Sequence, residues 1–304
     1  MTSTIIRATA VLRFGGLVAF PTETVYGLGA DATNANAVRK IFTAKGRPIT
    51  NPLICHVPDA QVAQRYTREW PPAAAQLAAA FWPGPLTLVL AKTDEIPHDV
   101  TAGRDTVALR APNHPLTLML LRVLDRPLAG PSANKSSHVS PTTAHHVRDE
   151  LGDEVDMILD GGPCDVGIES TVLDLSGPGG GRPTILRPGG VTREQIEAIV
   201  GPVDLFTGAI DPAVVATSPG QHERHYAPRT PAYRFDAGER VRVNGAILEL
   251  TPDATEYART FYARLRQLDQ SGASAIYIEM PPDTPQWLAV RDRIFRATQP
   301  LPPP

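Results

Sequence analysis

The sequence predicts an α/β protein: a twisted mixed sheet around a concave cleft, followed by a small C-terminal β-α-β-α domain. Three observations carry this. Up to about residue 200, short apolar runs alternate irregularly with stretches of helical period, the pattern of a mixed sheet with covering helices. The 31 prolines in 304 residues exceed the usual share of about 5%, and many abut strand-like runs, as in Phe20-Pro21, Trp82-Pro83-Gly84-Pro85 and Gly130-Pro131. Stiff loops around a site are built this way. Finally, periodicity is lost between Pro202 and Pro231 and returns beyond it.

In chain order, Ile6 to Phe14 reads as a helix stopped by Gly15-Gly16, a usual C-cap signal. Leu17–Phe20 is a buried strand running into the segment Pro21 to Asp31. Asn34 caps a helix over Ala35–Ala44, and Leu53–Val57 is the next strand. Helices follow around Asp59–Tyr66 and Pro72–Phe81, then strands at Leu86–Leu90 and Thr106–Ala111. Pro115–Leu124 is an apolar helix and Pro127–Gly130 a short strand. Ser140-Pro141 is expected to start a helix, since proline is favoured at the first helical position. Met157–Asp160, Ser170–Leu175 and Thr184–Arg187 are further strands, and Thr192-x-x-Gln195 is a capping box for a helix to Val200. Beyond the aperiodic stretch, Val241–Leu250 reads as a strand or hairpin. Tyr257, Phe261, Leu265 and Leu268 share one helix face, Ala275–Met280 is a strand, and Pro285–Ala297 is a last helix. The expected units are a catalytic domain over 1–201, a linker or lid over 202–231, and a small α/β domain over 232–304.

Composition narrows the function classes. A 42% hydrophobic, 20% charged chain is an ordinary globular one. A net charge of −3 argues against binding nucleic acid through bulk electrostatics, so at most weak binding of that kind is expected. Two cysteines, Cys55 and Cys164, are too few for a disulfide framework and fit a reducing compartment. The start lacks a signal-peptide layout, and no apolar run approaches the roughly 20 residues of a membrane span. The expected location is cytoplasmic, with no membrane partner.

The stretch Lys45-Gly46-Arg47-Pro48-Ile49-Thr50-Asn51-Pro52 carries the chemistry. Each proline fixes its own φ and biases the preceding residue toward extended geometry, so the loop has little slack. It can hold a lysine, an arginine and an amide in fixed relation, as a polyphosphate site requires: Lys as a point charge, Arg as a planar fork. Taken alone, the same residues read as a surface turn with two solvated charges.

The run FPTETVYGLGADA, KGRPITNPL, WPGPLTLVL, VALRAP, GPSANKSSHVSPT, DGG…GIESTVLDL and ILRPGG resembles the YrdC-like threonylcarbamoyl-AMP synthases, in order over about residues 5–200. The segment SPGQHERHYAP and the β/α stretch after it are similar to the long, two-domain form of that family, although the roughly 75 residues that follow are fewer than its usual second domain. The resemblance implies a YrdC-like fold. It also implies synthesis of threonylcarbamoyl-AMP and pyrophosphate from L-threonine, bicarbonate and ATP, with Mg²⁺ carried mainly by the phosphates. The product would pass to threonylcarbamoyl transferase proteins that modify tRNA. Residue by residue, it implies that Lys45 and Arg47 face the triphosphate and that Ser132 and Asn134 lie near the phosphates and metal. Asn51, Thr106, Ser140 and Arg187 are further ATP contacts, Thr24, His56, Arg110 and Ser170 form the threonine pocket, and Arg224, His225 and Tyr226 lie in a closing linker.

Such a reaction needs no protein nucleophile. The carbamate formed from threonine and bicarbonate attacks the α-phosphorus of ATP, and the protein positions groups and neutralises charge. Competing readings are weaker. Arg110 and His56, taken singly, read as a surface arginine and a core histidine. Gly27-x-Gly29-x-x-Ala32 fits a dinucleotide fingerprint but is too far from its strand, with no acidic residue about 20 positions on. Gly177–Gly181 lacks the Lys-Ser/Thr of a P-loop and reads as a hairpin turn. His145 and His146 point about 100° apart on a helix and read as solvated. Two further functional alternatives are a carbamoyl-adenylate-forming carbamoyltransferase and a non-catalytic double-stranded-RNA binding module.

Overall fold

The computed structural model describes residues 2–177, 181–206, 225–239 and 245–301. Its apolar runs collect into two sheets. The larger takes ten strands: β1 (Val18–Phe20), β2 (Gly27–Asp31), β3 (Ile54–His56), β4 (Leu86–Ala91), β5 (Thr106–Arg110), β6 (Leu128–Ala129), β7 (Met157–Ile158), β8 (Thr171–Asp174), β9 (Thr184–Arg187) and β10 (Asp204–Leu205). Their order is β10-β9-β8-β4-β5-β3-β6-β2-β1-β7. Pairing is mixed: β3 runs parallel to β5, β4 antiparallel to β5 and parallel to β8. The expected mixed sheet is therefore present.

Two elements differ from expectation for identifiable reasons. Gly27–Asp31 forms β2 although glycine weakens a strand. A Cβ on Gly27 would lie 2.4 Å from the Phe20 ring and one on Gly29 2.9 Å from Leu128, so neighbouring side chains occupy the space that larger residues would need. The helix expected from Ser140-Pro141 begins instead at Ala144, capped by Thr143, whose hydroxyl accepts from the His146 amide. Residues 140–142 are engaged elsewhere: Tyr26 N donates to Pro141 O at 2.8 Å and Ser140 Oγ to Glu169 at 2.6 Å.

The helix Ala35–Lys45 delivers the cationic loop. Asn34 caps its start by accepting from the Asn36 and Ala37 amides, and Gly46 ends it at φ +60°, the left-handed cap that glycine adopts without steric cost. The Thr192–Gln195 capping box is present as expected.

The C-terminal sheet has four strands, β11 (Ala232–Phe235), β12 (Ala246–Leu248), β13 (Ile276–Glu279) and β14 (Gln299–Pro300), all parallel in the order β12-β13-β11-β14. This corrects the β-α-β-α expectation: β11, with four residues, and β14, with two, are too short to show a period of their own, and their parallel partners supply the ladder. Residues 241–244 of the expected strand or hairpin lie outside the described residues. The helix Ala254–Asp269 buries Tyr257, Phe261 and Leu265, with Leu268 packed against the same core. That core also takes in Val25, Val139 and Ile168 from the large-sheet domain. Gly167 sits where a Cβ would meet the Arg259 backbone at 2.4 Å, so the last helices press directly on the loops of the first domain.

Candidate active site

Loops after the strand ends enclose one cavity, bounded by Thr22, Thr24, Arg47, His56, Arg110, Ser132, Glu169, Ser170, Arg187, His225 and Tyr226 among others. The space left inside is about 40 Å³, room for a few waters at most.

Arg110, at the end of β5, donates from Nε to Gly84 O at 3.2 Å and forms an ion pair with Glu23 at 2.8 Å. Glu23 in turn accepts from the Asn113 amide at 2.9 Å. The ion pair lacks hydrogen-bond alignment, since among the described residues neither Arg110 Nη2 nor Glu23 Oε1 has a hydrogen-bonding partner. His56 ends β3 beside it. Its Nδ1 lies 3.3 Å from Leu128 O, and a carbonyl can only accept, so Nδ1 carries the proton and Nε2 is left as an acceptor. Burial, then the Arg110 charge, hold the imidazole down at a pKa of about 3, so it is neutral near pH 7. The Phe20 ring packs edge-on to it at 5.1 Å. Thr22 and Thr24 share a hydroxyl contact at 2.8 Å, and Thr22 also binds the Val25 carbonyl and amide.

The cationic side is built from two loops. Arg47 donates to Asn51 O at 3.3 Å and to Pro52 O at 3.0 Å, which folds the K-x-R-P loop back on itself. Burial lowers its pKa to about 10, with Tyr226 opposing and Arg187 adding to the shift. Arg187, from β9, donates to Ser170 O at 2.9 Å and Ser170 Oγ at 3.2 Å, and Ser170 Oγ meets Thr87 Oγ1 at 2.8 Å. Lys45 does not line the cavity. Its ammonium donates to the carbonyls of Ser132 and Asn134, bracing the S-x-N loop from behind. Burial depresses its pKa, as do the charges of Arg47 and Lys135.

Of the other expected contacts, Asn51 and Asn134 are buried, each with a side-chain oxygen that has no partner among the described residues. Ser140 touches the cavity through Glu169. Thr106 opens β5, four residues and about 13 Å of strand from Arg110, and is not brought to the cavity. Arg224 lies outside the described residues, as do residues 218–223 of the linker motif and 178–180 of the Gly177–Gly181 turn. His145 is exposed as expected; His146 is half-buried and accepts from the Thr142 amide at 3.2 Å.

His225 and Tyr226 cover the cavity, their rings in edge contact at 4.0 Å. Burial, followed by the charges of Arg47, Lys45, Arg187 and Arg293, keeps His225 neutral. Sequence reasoning missed two buried carboxylates of the site, Glu169 in the cavity wall and Glu23 as the partner of Arg110. Both stand as single charges in runs of small residues, T-E-T and I-E-S-T, and that isolation was the available signal.

A family model for Sua5/YciO/YrdC, described under telomere recombination, matches residues 10–189, and one for a threonylcarbamoyl-AMP synthase C-terminal domain matches 191–299. A threonylcarbamoyl-AMP synthase of Pyrococcus abyssi is 39% identical over 96% of this chain and 93% of its own length. One of Bacillus subtilis is 41% identical over 96% and 92%. A crystal structure of P. abyssi Sua5 complexed with L-threonine aligns with a TM-score of 0.88 at 38% identity, covering 97% of this chain and 95% of that one. The chain belongs to the Sua5/YciO/YrdC family, in the two-domain form that ends in a threonylcarbamoyl-AMP synthase C-terminal domain.

Proposed function

We propose that the chain is an L-threonylcarbamoyladenylate synthase, forming threonylcarbamoyl-AMP and pyrophosphate from L-threonine, bicarbonate and ATP. The observation that carries the site assignment is a charge imbalance. Arg47, Arg110 and Arg187 converge on one buried cavity with Lys45 behind them, while Glu169, the carboxylate in its wall, is already paired with Arg293, and Glu23, outside the lining, with Arg110. Buried cations in excess favour anionic ligands.

Arg110 pairs the threonine carboxylate. Thr24 and the His56 Nε2 lone pair meet its hydroxyl or amine, and Val25 and Ile54 face its methyl. A site that hydrogen-bonds the hydroxyl rejects valine strongly and serine less so, which makes serine the best wrong substrate. Arg47 and Arg187 hold the triphosphate and, with Lys45 fixing the Ser132–Asn134 loop, stabilise charge developing on the α-phosphate and the leaving pyrophosphate. The partnerless oxygens of Asn51 and Asn134 are neutral acceptors suited to hydrated Mg²⁺ or to the nucleotide. Mg²⁺, when bound with ATP, would spread phosphate charge.

His225 and Tyr226 act as a lid: they shield the adenylate, a labile mixed anhydride, from water and must withdraw to admit substrates. The adenylate would then be consumed by a protein that transfers threonylcarbamoyl to adenosine in tRNA, in the cytoplasm.

The test is a product assay with each substrate omitted in turn. An AMP-linked product with stoichiometric pyrophosphate is expected when ATP, L-threonine and bicarbonate are all present. Equal pyrophosphate release without threonine would overturn the assignment.

A further inference from the structure

Arg293 sits in the last helix, Leu288–Ala297, in the C-terminal domain, and its side chain is wholly buried. It reaches out of that domain into the wall of the active-site cavity. Nε donates to Glu169 Oε2 at 2.7 Å, and Glu169 also accepts from Ser140 Oγ at 2.6 Å and from Tyr262 Oη at 2.9 Å. One carboxylate of the first domain is thus held by one serine of its own domain and by two side chains of the other. The Arg293 guanidinium also lies over the Tyr226 ring at 5.1 Å, and the Tyr262 ring lies 5.8 Å from the same ring.

Two details show what this contact holds in place. Tyr226 has φ +60°, the left-handed region that a bulky L-residue enters at a cost and keeps when its surroundings dictate it. Among the described residues its hydroxyl has no hydrogen-bond partner, so ring contacts, burial and the backbone hydrogen bonds of His225 and Ala227 hold it. Glu169 is fully buried, which would raise its pKa, yet the charges of Arg293 and Arg187 and the Ser140 hydrogen bond hold it below the usual carboxylate range. It remains an anion on the wall where a polyphosphate would lie.

We propose that Arg293 is a positioning residue for the nucleotide half of the active site: it neutralises Glu169, so that Arg187 stays directed at phosphate, and it holds Tyr226 in its closing conformation. This rests on the reading of the cavity as the ATP and threonine site. Without Arg293, a bare carboxylate would stand beside the phosphates and compete for Arg187. The threonine pocket around Arg110 and His56 has its own carboxylate partner, Glu23, and would be spared. The C-terminal domain thereby contributes to catalysis from beneath the cavity, through charge balance.

The test measures binding of the Mg²⁺ complex of α,β-methylene-ATP and of L-threonine, by calorimetry, to the full chain and three variants. Arg293→Met is expected to weaken nucleotide binding about tenfold or more, the size of one charge-assisted contact, and to leave threonine binding within about twofold. Adding Glu169→Gln removes the bare charge, and the double variant is expected to regain most of the nucleotide affinity. It also keeps the comparison decisive if the single variant fails to fold, because Glu169 is then no longer a buried half-pair, while Asp292, the other partner of Arg293, keeps its contact with Arg296. Arg293→Lys keeps the charge without the planar fork and is expected to fall between Arg293→Met and the unaltered chain. Equal loss of both ligands in Arg293→Met, or nucleotide affinity in the double variant as low as in the single one, would overturn the proposal. Failure of the unaltered chain to bind either ligand would instead refute the substrate assignment, and this proposal with it.

Discussion

Removing the Arg110 guanidinium should separate its two roles. The side chain is almost fully buried, faces the cavity, and is the ion-pair partner of Glu23 at 2.8 Å. Arg110→Gln therefore takes the charged donor from the threonine carboxylate, worth ~1.5–3 kcal/mol or about 10- to 150-fold in Kd. It also leaves Glu23 as an unpaired buried carboxylate, and breaking a buried pair from one side costs ~3–5 kcal/mol of stability. The two losses can be told apart. In Arg110→Gln/Glu23→Gln the bare charge is gone, so the midpoint of urea unfolding should return most of the way toward that of the unaltered chain, while threonine affinity stays low. Calorimetric titration with L-threonine and urea unfolding on all three proteins supply the numbers. Threonine affinity in the double variant within about twofold of the unaltered chain would refute the role given to Arg110.

Lys45→Met keeps the length of the side chain but removes the donor shared by the Ser132 and Asn134 carbonyls; with that loop misplaced by about 1 Å, kcat for adenylate formation should fall about 10²-fold, and near-normal turnover would contradict this. His56 and His146 are held by burial near pKa values of about 3 and about 4, with Arg110 and Arg266 adding to the depression. Below pH ~6.5 the unfolded chain binds protons that the folded chain refuses, so stability should fall on acidification by up to ~1.4 kcal/mol per pH unit per histidine and be fully present above that pH. Urea unfolding between pH 7.5 and 5 measures it; His146→Gln should shallow the slope, and a pH-independent midpoint would refute it. Gly27→Ala places a methyl against Phe20, whose ring supports His56; a cost of ~1–3 kcal/mol and weaker threonine binding are expected, and an unchanged unfolding midpoint would show that the ring can yield.

The short-range devices were legible in the sequence. Asn34 and Gly46 mark the two ends of the helix that delivers the cationic loop, and Thr192 and Gln195 announce a capping box, because caps are set by neighbours a few residues apart. Strand β2 was hidden because its glycines answer to Phe20 and Leu128, which come from other strands. The motif residues Thr24, Arg47, His56, Arg110, Ser132, Ser170, Arg187, His225 and Tyr226, singled out through the family resemblance and not by any local period, line one cavity. What stayed unread depends on contacts between distant residues. Glu169 and Arg293 are 124 positions apart and meet only because the two domains share a core. Lys45 turns to backbone carbonyls 87 and 89 positions away, which no local pattern in K-x-R-P encodes.

The division of one cavity between an amino acid and a nucleotide is tested most directly by a crystal structure with L-threonine and α,β-methylene-ATP bound together. The amino-acid carboxylate should lie within hydrogen-bonding distance of Arg110, with the phosphates against Arg47 and Arg187 and the α-phosphorus turned toward the threonine amine. Nucleotide bound elsewhere, with Arg47 still folded onto the Asn51 and Pro52 carbonyls, would contradict the account.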